Sequence, residues 1–281
     1  MNKKFVALVV VAIVLVAAVV AVAASTKSGD NGSDASATDF EEIVKVYGNV
    51  NNDASIDEDD LSLVQAILDG DAEWDRDANP YADANNDSSI TAEDYELIQK
   101  IINDESCEVW YTNGFGVAQQ VPYPLVNNTI ALTYWQQGEL VSLLGHWNEV
   151  VAVNESIYTD RANLYDLSNI QYHFGTTTGS SVSEADCEMM EQLGVDLVIA
   201  SPYTSNSTPL DAYLPHVTKL YINPSGFNCI SDALTLGVLM DSEEAAEEYV
   251  EFSLGAVREI RQAMSEIPED EIPTMIITRM Y

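Results

Sequence analysis

The hydrophobic pattern changes character along the chain. An unbroken apolar run spans residues 5–24, with Lys3 and Lys4 before it. A cleaved export signal has an apolar core of about 7–15 residues and a spanning helix needs about 20, so the run sits at that boundary. Ala21, Ala23 and Ala24 permit cleavage, while the length favours an uncleaved membrane anchor with the lysines inside. Residues 25–38 are polar and small, without periodicity, and read as a flexible linker. Two amphipathic helical stretches follow, LSLVQAIL and YELIQKII.

From Val109 onward the period shortens. Residues 109–111 and 117–121 flank TNGFG and predict a β-hairpin. Strands are predicted at 129–132, 150–153, 197–200, 219–222 and 275–278, and helices at 137–144, 183–193, 229–239 and 242–267. This alternation predicts an α/β fold, a parallel sheet with helices on both faces and a ligand site outside the carboxyl ends of its strands. The last helix is the longest. Asp241 with Glu244 predicts a capping-box-like start, Ala246, Val250, Val257, Ile260 and Met264 an apolar stripe, and Pro268 its end.

Each helical stretch is preceded by an acidic loop, NVNNDASIDEDD at 49–60 and DANNDSSITAED at 83–94, the second starting 83 − 49 = 34 residues after the first. Hard cations take several oxygen ligands, and EF-hand loops supply them from positions 1, 3, 5, 7, 9 and 12. Those positions hold Asn49, Asn51, Asp53, Ser55 (backbone), Asp57 and Asp60 in the first copy. In the second they hold Asp83, Asn85, Asp87, Ser89 (backbone), Thr91 and Asp94. One Ca2+ per loop is expected, held more tightly by the second loop because Asn49 leaves the first one charge short. Position 6, usually Gly, is Ala54 and Ser88, and position 8 is Ile56 and Ile90, placed to pair the loops back to back.

The formal net charge is −35, with 11 Lys and Arg, which excludes a nucleic-acid partner and fits cation binding or a salt-adapted surface. About half the acidic residues lie between Asp30 and Glu105. The three cysteines form no CxxC, so zinc and iron–sulfur sites are unsupported; free thiols or one disulfide remain open. No phosphate-binding glycine motif or GxSxG elbow is present, so no enzyme is expected.

Two resemblances follow from these residues. Asp at position 12, Asn at position 3 and one helix behind each loop make the stretch from about Lys45 to Asp104 resemble a dockerin, the duplicated calcium module that docks onto cohesins. In that family positions 10 and 11 contribute to partner choice; here they are Glu58 and Asp59, then Ala92 and Glu93, unlike the Ser/Thr pairs of cellulosomal dockerins. LGVDLVIAS, with the order of elements around it, resembles the first lobe of ABC-transporter binding proteins for iron–siderophores, haem or cobalamin. There the long helix is the strut between lobes and PTMIIT opens a second lobe, which the sequence given does not contain. This resemblance implies a metal-chelate or corrinoid ligand, a transporter permease as partner, and a cleft lined by Tyr134, Trp135, Tyr158, Tyr172, His173 and Tyr203. His146 and His216 are expected to be structural. The expected organisation is therefore 1–24 signal or anchor, 25–38 linker, 39–106 dockerin-like module, 107–267 lobe and strut, and 268–281 the start of a second lobe. The protein is expected outside the cytoplasm, as a solute-binding protein or, alternatively, as a surface interaction protein whose dockerin carries the function.

Overall fold

The computed structural model describes residues 40–268 except 177, 180 and 227; the apolar run, the linker and the PTMIIT strand lie outside these. Among the described residues no helix is long and apolar enough to cross a membrane.

Two helices build the acidic module. The first, α1 (Glu58–Asp69), starts on a capping box between Asp57 and Asp60 and stops at left-handed Gly70. The second, α2 (Ala92–Ile102), starts on the equivalent box of Thr91 and Asp94. Their apolar faces meet around Val50, Val64, Ala82, Ala84 and Ile98, with Ile56 and Ile90 packed alongside. The same acidic residue thus ends each loop and caps each helix.

Next comes an antiparallel hairpin, β1 (Cys107–Thr112) with β2 (Ala118–Tyr123). The lobe then runs β3 (Ile130–Leu132), α3 (Trp135–Leu143), β4 (Val150–Asn154), α4 (Glu155–Tyr158), β5 (Tyr172–Phe174), α5 (Glu184–Gln192), β6 (Leu197–Ala200), α6 (Thr204–Tyr213), β7 (Thr218–Tyr221), α7 (Asn228–Leu239) and α8 (Glu243–Ser265). The sheet is wholly parallel in the order β5-β4-β3-β6-β7. The chain leaves β3 in one direction to β4 and β5, then returns to the other side of β3 for β6 and β7. That reversal falls at the carboxyl end of β3, the place where α/β sheets of this kind bind ligands.

One core cluster lies under α3, α7 and α8, and a second lies under α5 and α6 on the opposite sheet face. α7 is buried on every side from Cys229 to Leu239, as a helix apolar all round must be. The three cysteines are free, two of them buried.

The acidic module is built into the lobe. Val46 bridges to Tyr111 of β1, the Tyr47 N–H donates to the Trp110 carbonyl at 2.8 Å, and the Lys45 N–H donates to Thr235 Oγ1 on α7 at 2.9 Å. The hairpin in turn holds β7: the Tyr221 N–H donates to Tyr111 Oη at 3.0 Å, and Gln119 Nε2 donates to the Lys219 carbonyl at 2.6 Å. Phe40, Val44, Val46 and Ile101 belong to the same cluster as Leu220 and Leu234.

Three expectations change. β5 and α6 lie where no strand or helix was predicted, and β5 carries Tyr172 and His173. The start of α8 has no side-chain cap, because the Ser242 hydroxyl contacts His146 Nε2 at 2.8 Å and donates to the Met240 carbonyl. The α8 stripe is buried only as far as Val257; Met264 is exposed.

Candidate functional site

The two acidic loops repeat one hydrogen-bond network. The position 5 N–H donates to the side-chain oxygen of position 1, Asp53 to Asn49 at 3.1 Å and Asp87 to Asp83 at 2.9 Å. The position 7 N–H donates to position 5, Ser55 to Asp53 and Ser89 to Asp87, both at 2.9 Å. The position 3 N–H donates to position 12, Asn51 to Asp60 and Asn85 to Asp94, both at 3.1 Å. Asp57 and Thr91 at position 9 donate their N–H groups to the other oxygen of position 12. Backbone amides thereby turn side-chain oxygens from positions 1, 3, 5 and 12 inward.

Asn49, Asp60, Asp83 and Asp94 are buried. Burial pushes Asp60 up to about 6, against backbone N–H bonds that lower it and with Asp53 adding to the rise. Burial likewise raises Asp83, with Asp94 and Asp87 adding to it. Among the described residues no Lys or Arg forms an ion pair with these carboxylates. An all-oxygen donor set around buried, mutually repelling carboxylates fits a hard divalent cation, which supplies the missing positive charge.

Asn49 is more than a charge deficit. Its Nδ2 donates to the Val44 and Asp53 carbonyls, both at 2.8 Å, which an aspartate cannot do. The sharp turn falls at position 4, where Asn52 and Asn86 are both left-handed. At position 6 only Ser88 has positive φ, at 79°. Left-handed geometry costs a non-glycine residue about 1 kcal/mol. Ser88→Gly is therefore expected to raise the midpoint of calcium-loaded unfolding by about 1 kcal/mol equivalent, whereas Ala54→Gly gives no gain; denaturant melts of both variants check this.

The second candidate site lies at the carboxyl edge of the sheet. Tyr134 and Trp135 follow β3, with ring centroids 5.8 Å apart. Arg161, which the sequence reading missed, lies over the Trp135 ring at 3.9 Å. On β5, His173 stacks on Tyr158 at 4.1 Å with 8° between planes, and its Nδ1 meets Glu155 Oε2 at 2.5 Å. Glu155, also missed, immediately follows β4, and its position just past a strand end was the available signal. Tyr172 is not brought to this set. Strand alternation turns it against Phe174, and its hydroxyl donates to Asp186 Oδ1 on α5 at 2.8 Å. Tyr203 is exposed just before α6. His146 contacts Glu149 and Ser242, and exposed His216 faces Glu191.

Just past β3 and β6, Gln137 Nε2 donates to Ser201 Oγ at 2.9 Å. Nearby Glu139 is 7% exposed; burial pushes its carboxyl up to about 7, with Arg161 pulling the other way. A folded pKa above the ordinary 4.5 means stability is fully present below that value and falls as pH rises through 7. Glu139→Gln is expected to flatten that fall by about 1–2 kcal/mol, read from urea melts between pH 5 and 8.

Residues 47–103 match the Dockerin type I domain. Both loops, α1 and α2 fall inside that match. Type I dockerins typically bind calcium, imply a cohesin partner and point to an extracytoplasmic protein; a dockerin is a binding module and not an enzyme. In this dockerin, Glu58, Asp59, Ala92 and Glu93 at positions 10 and 11 are all exposed. No curated protein matches the chain. Solved structures show a distant similarity. The haem-binding protein HmuT has 20% identity over 58% of this chain and 50% of its own, with a TM-score of 0.39. The siderophore-binding protein BauB, bound to acinetobactin and ferric iron, has 15% identity over 58% and 56%, with a TM-score of 0.44. The iron-uptake binding protein PiuA from Streptococcus pneumoniae has 14% identity over 53% and 49%, with a TM-score of 0.36. The chain spans about half the length of these structures.

Proposed function

We propose that the chain is an extracytoplasmic solute-binding protein for a metal chelate, an iron–siderophore, haem or a corrinoid, and that it carries a calcium-loaded docking module. The observation that carries this reading is the group at the carboxyl edge of the sheet. Tyr158, His173 and Glu155 form one polar aromatic set, and Trp135 under Arg161 forms another. Aromatic walls with a few fixed polar groups suit a large amphiphilic chelate. An ABC-importer permease is the partner this role requires, and the apolar run 5–24 supplies export or anchoring.

The loops are proposed to hold two Ca2+ ions, one each. Asn49, Asn51, Asp53, the Ser55 carbonyl, Asp57 and Asp60 would hold the first; Asp83, Asn85, Asp87, the Ser89 carbonyl, Thr91 and Asp94 would hold the second. The bound ions would neutralise the loops and stabilise the module by mass action.

The alternative is a surface interaction protein in which a cohesin-like partner is the ligand and the lobe is a scaffold. The exposed acidic positions 58, 59 and 93 on the dockerin support it. Tryptophan fluorescence of the calcium-loaded chain, titrated with haemin, cyanocobalamin and a ferric siderophore, separates the two. Saturable quenching by one of them that falls in Trp135→Phe supports solute binding; no quenching by any, with binding to a cohesin, supports the alternative.

A further inference from the structure

The two calcium loops have equivalent networks but different surroundings. In the first loop, residues at odd positions turn oxygens inward, while even-numbered Ala54 and Ile56 pack outward against the core cluster that the module shares with the lobe. A cavity of about 380 Å³ lies at this seam, lined by Ala54 and Ile56 of the first loop, by Ile101 and Ile102 from the far end of α2, and by Leu234 and Ala246 of α7 and α8. In the second loop the equivalent Ser88 is exposed, and Ile90 packs within the module. Ala54 stands where loops of this kind carry Gly; it packs against that cluster, and its backbone is not left-handed.

We propose that the first calcium loop is a brace for the α7–α8 pair, so that occupancy of that loop, and not of the second, controls how firmly those helices are held. The proposal rests on the calcium reading above. The loop backbone has alternate residues committed to the ion and to the shared core, so loosening its ligand side loosens Ala54 and Ile56 in their seat at the α7–α8 seam. The Lys45 N–H bond to Thr235 adds a second tie from the module to α7. Among the described residues no hydrogen bond links residues 83–94 to the lobe; the helix behind them reaches it only at its far end, where the Tyr123 hydroxyl of β2 donates to the Ile101 carbonyl at 2.9 Å.

The test is amide hydrogen exchange over 228–250 in the full calcium-loaded chain, with calcium binding measured by calorimetry on the same samples. Asp53→Ala and Asp87→Ala remove the same loop position from the first and second loops. Asp53→Ala is expected to speed exchange in α7 and α8 by about tenfold or more, and Asp87→Ala to change it less than about twofold. Ile56→Ala keeps every ligand oxygen and is expected to leave calcium bound while making α7–α8 exchange insensitive to chelator. Equal acceleration by Asp53→Ala and Asp87→Ala, or none by either, overturns the brace while the calcium reading stands. Absence of calcium binding to the unaltered chain overturns both.

Discussion

Asp60→Ala is expected to be among the most damaging single changes in the dockerin. Its carboxylate accepts N–H bonds from Val50, Asn51 at 3.1 Å and Asp57 at 2.9 Å, and the side chain is buried. Each buried donor left unpaired costs about 1–3 kcal/mol. Asp60 is also half of the capping box of α1 and the proposed position 12 ligand of the first loop. The expected loss is about 3–5 kcal/mol of stability, with calcium binding at that loop abolished. Asn49→Ala is expected to cost less, but Asn49→Asp is not expected to be a gain: the added charge arrives with the loss of two amide bonds, to Val44 and Asp53. Chemical denaturation with and without EGTA checks all three. An Asp60→Ala protein as stable as the unaltered chain would remove the loop network from the account.

The second large effect concerns the crossing of α7 and α8. A Cβ on Gly237 would meet Ala246 Cβ at 2.6 Å, with the Ser242 carbonyl at 3.4 Å. Gly→Ala inside a helix is ordinarily favourable by about 1 kcal/mol through propensity. Here overpacking costs about 1–3 kcal/mol and is expected to win, because Ala246 is buried and cannot rotate away. Gly237→Ala should therefore lower the melting temperature, and Ala246→Gly in the same chain should recover most of the loss. A melting temperature raised by Gly237→Ala alone would mean that the helices are not in close contact.

Much of this architecture is legible in the sequence because it is local. The duplicated loop spacing, the short apolar runs of β3, β4, β6 and β7, and the apolar length of α7 all announce themselves within a dozen residues. β5 does not: it is a three-residue edge strand whose residues Tyr172, His173 and Phe174 carry no apolar run. α6 is hidden by Pro209 inside a stretch of Ser, Thr and Asn, and is held by buried Asn206 and Leu210. Tyr134, Trp135 and Tyr158 are legible in the sequence as aromatics just past strand ends, but the partners they and His173 take are not. Glu155 and His173 are 18 residues apart, and only the β4–β5 register brings them together. The resemblance places Tyr172 in the cleft together with His173, but neighbours on a strand face opposite ways, and Tyr172 turns to Phe174 and Asp186. The module's seat on the lobe depends on bonds such as Lys45 to Thr235, 190 residues apart, for which no local pattern exists.

On the proposed reading, this organisation places two binding faces on one body. The dockerin presents exposed Glu58, Asp59 and Glu93, and the lobe presents the aromatic set at the carboxyl edge of its sheet. Shared core residues from Val44 to Leu234 hold the two together.

Native mass spectrometry of the full chain, sprayed with calcium and a mixture of haemin, cyanocobalamin and a ferric siderophore, tests the central claim most directly. The expected spectrum carries the added mass of two Ca2+ ions and one chelate, and loses the calcium mass alone on treatment with EGTA. A chain that takes up neither calcium nor any chelate would contradict the account.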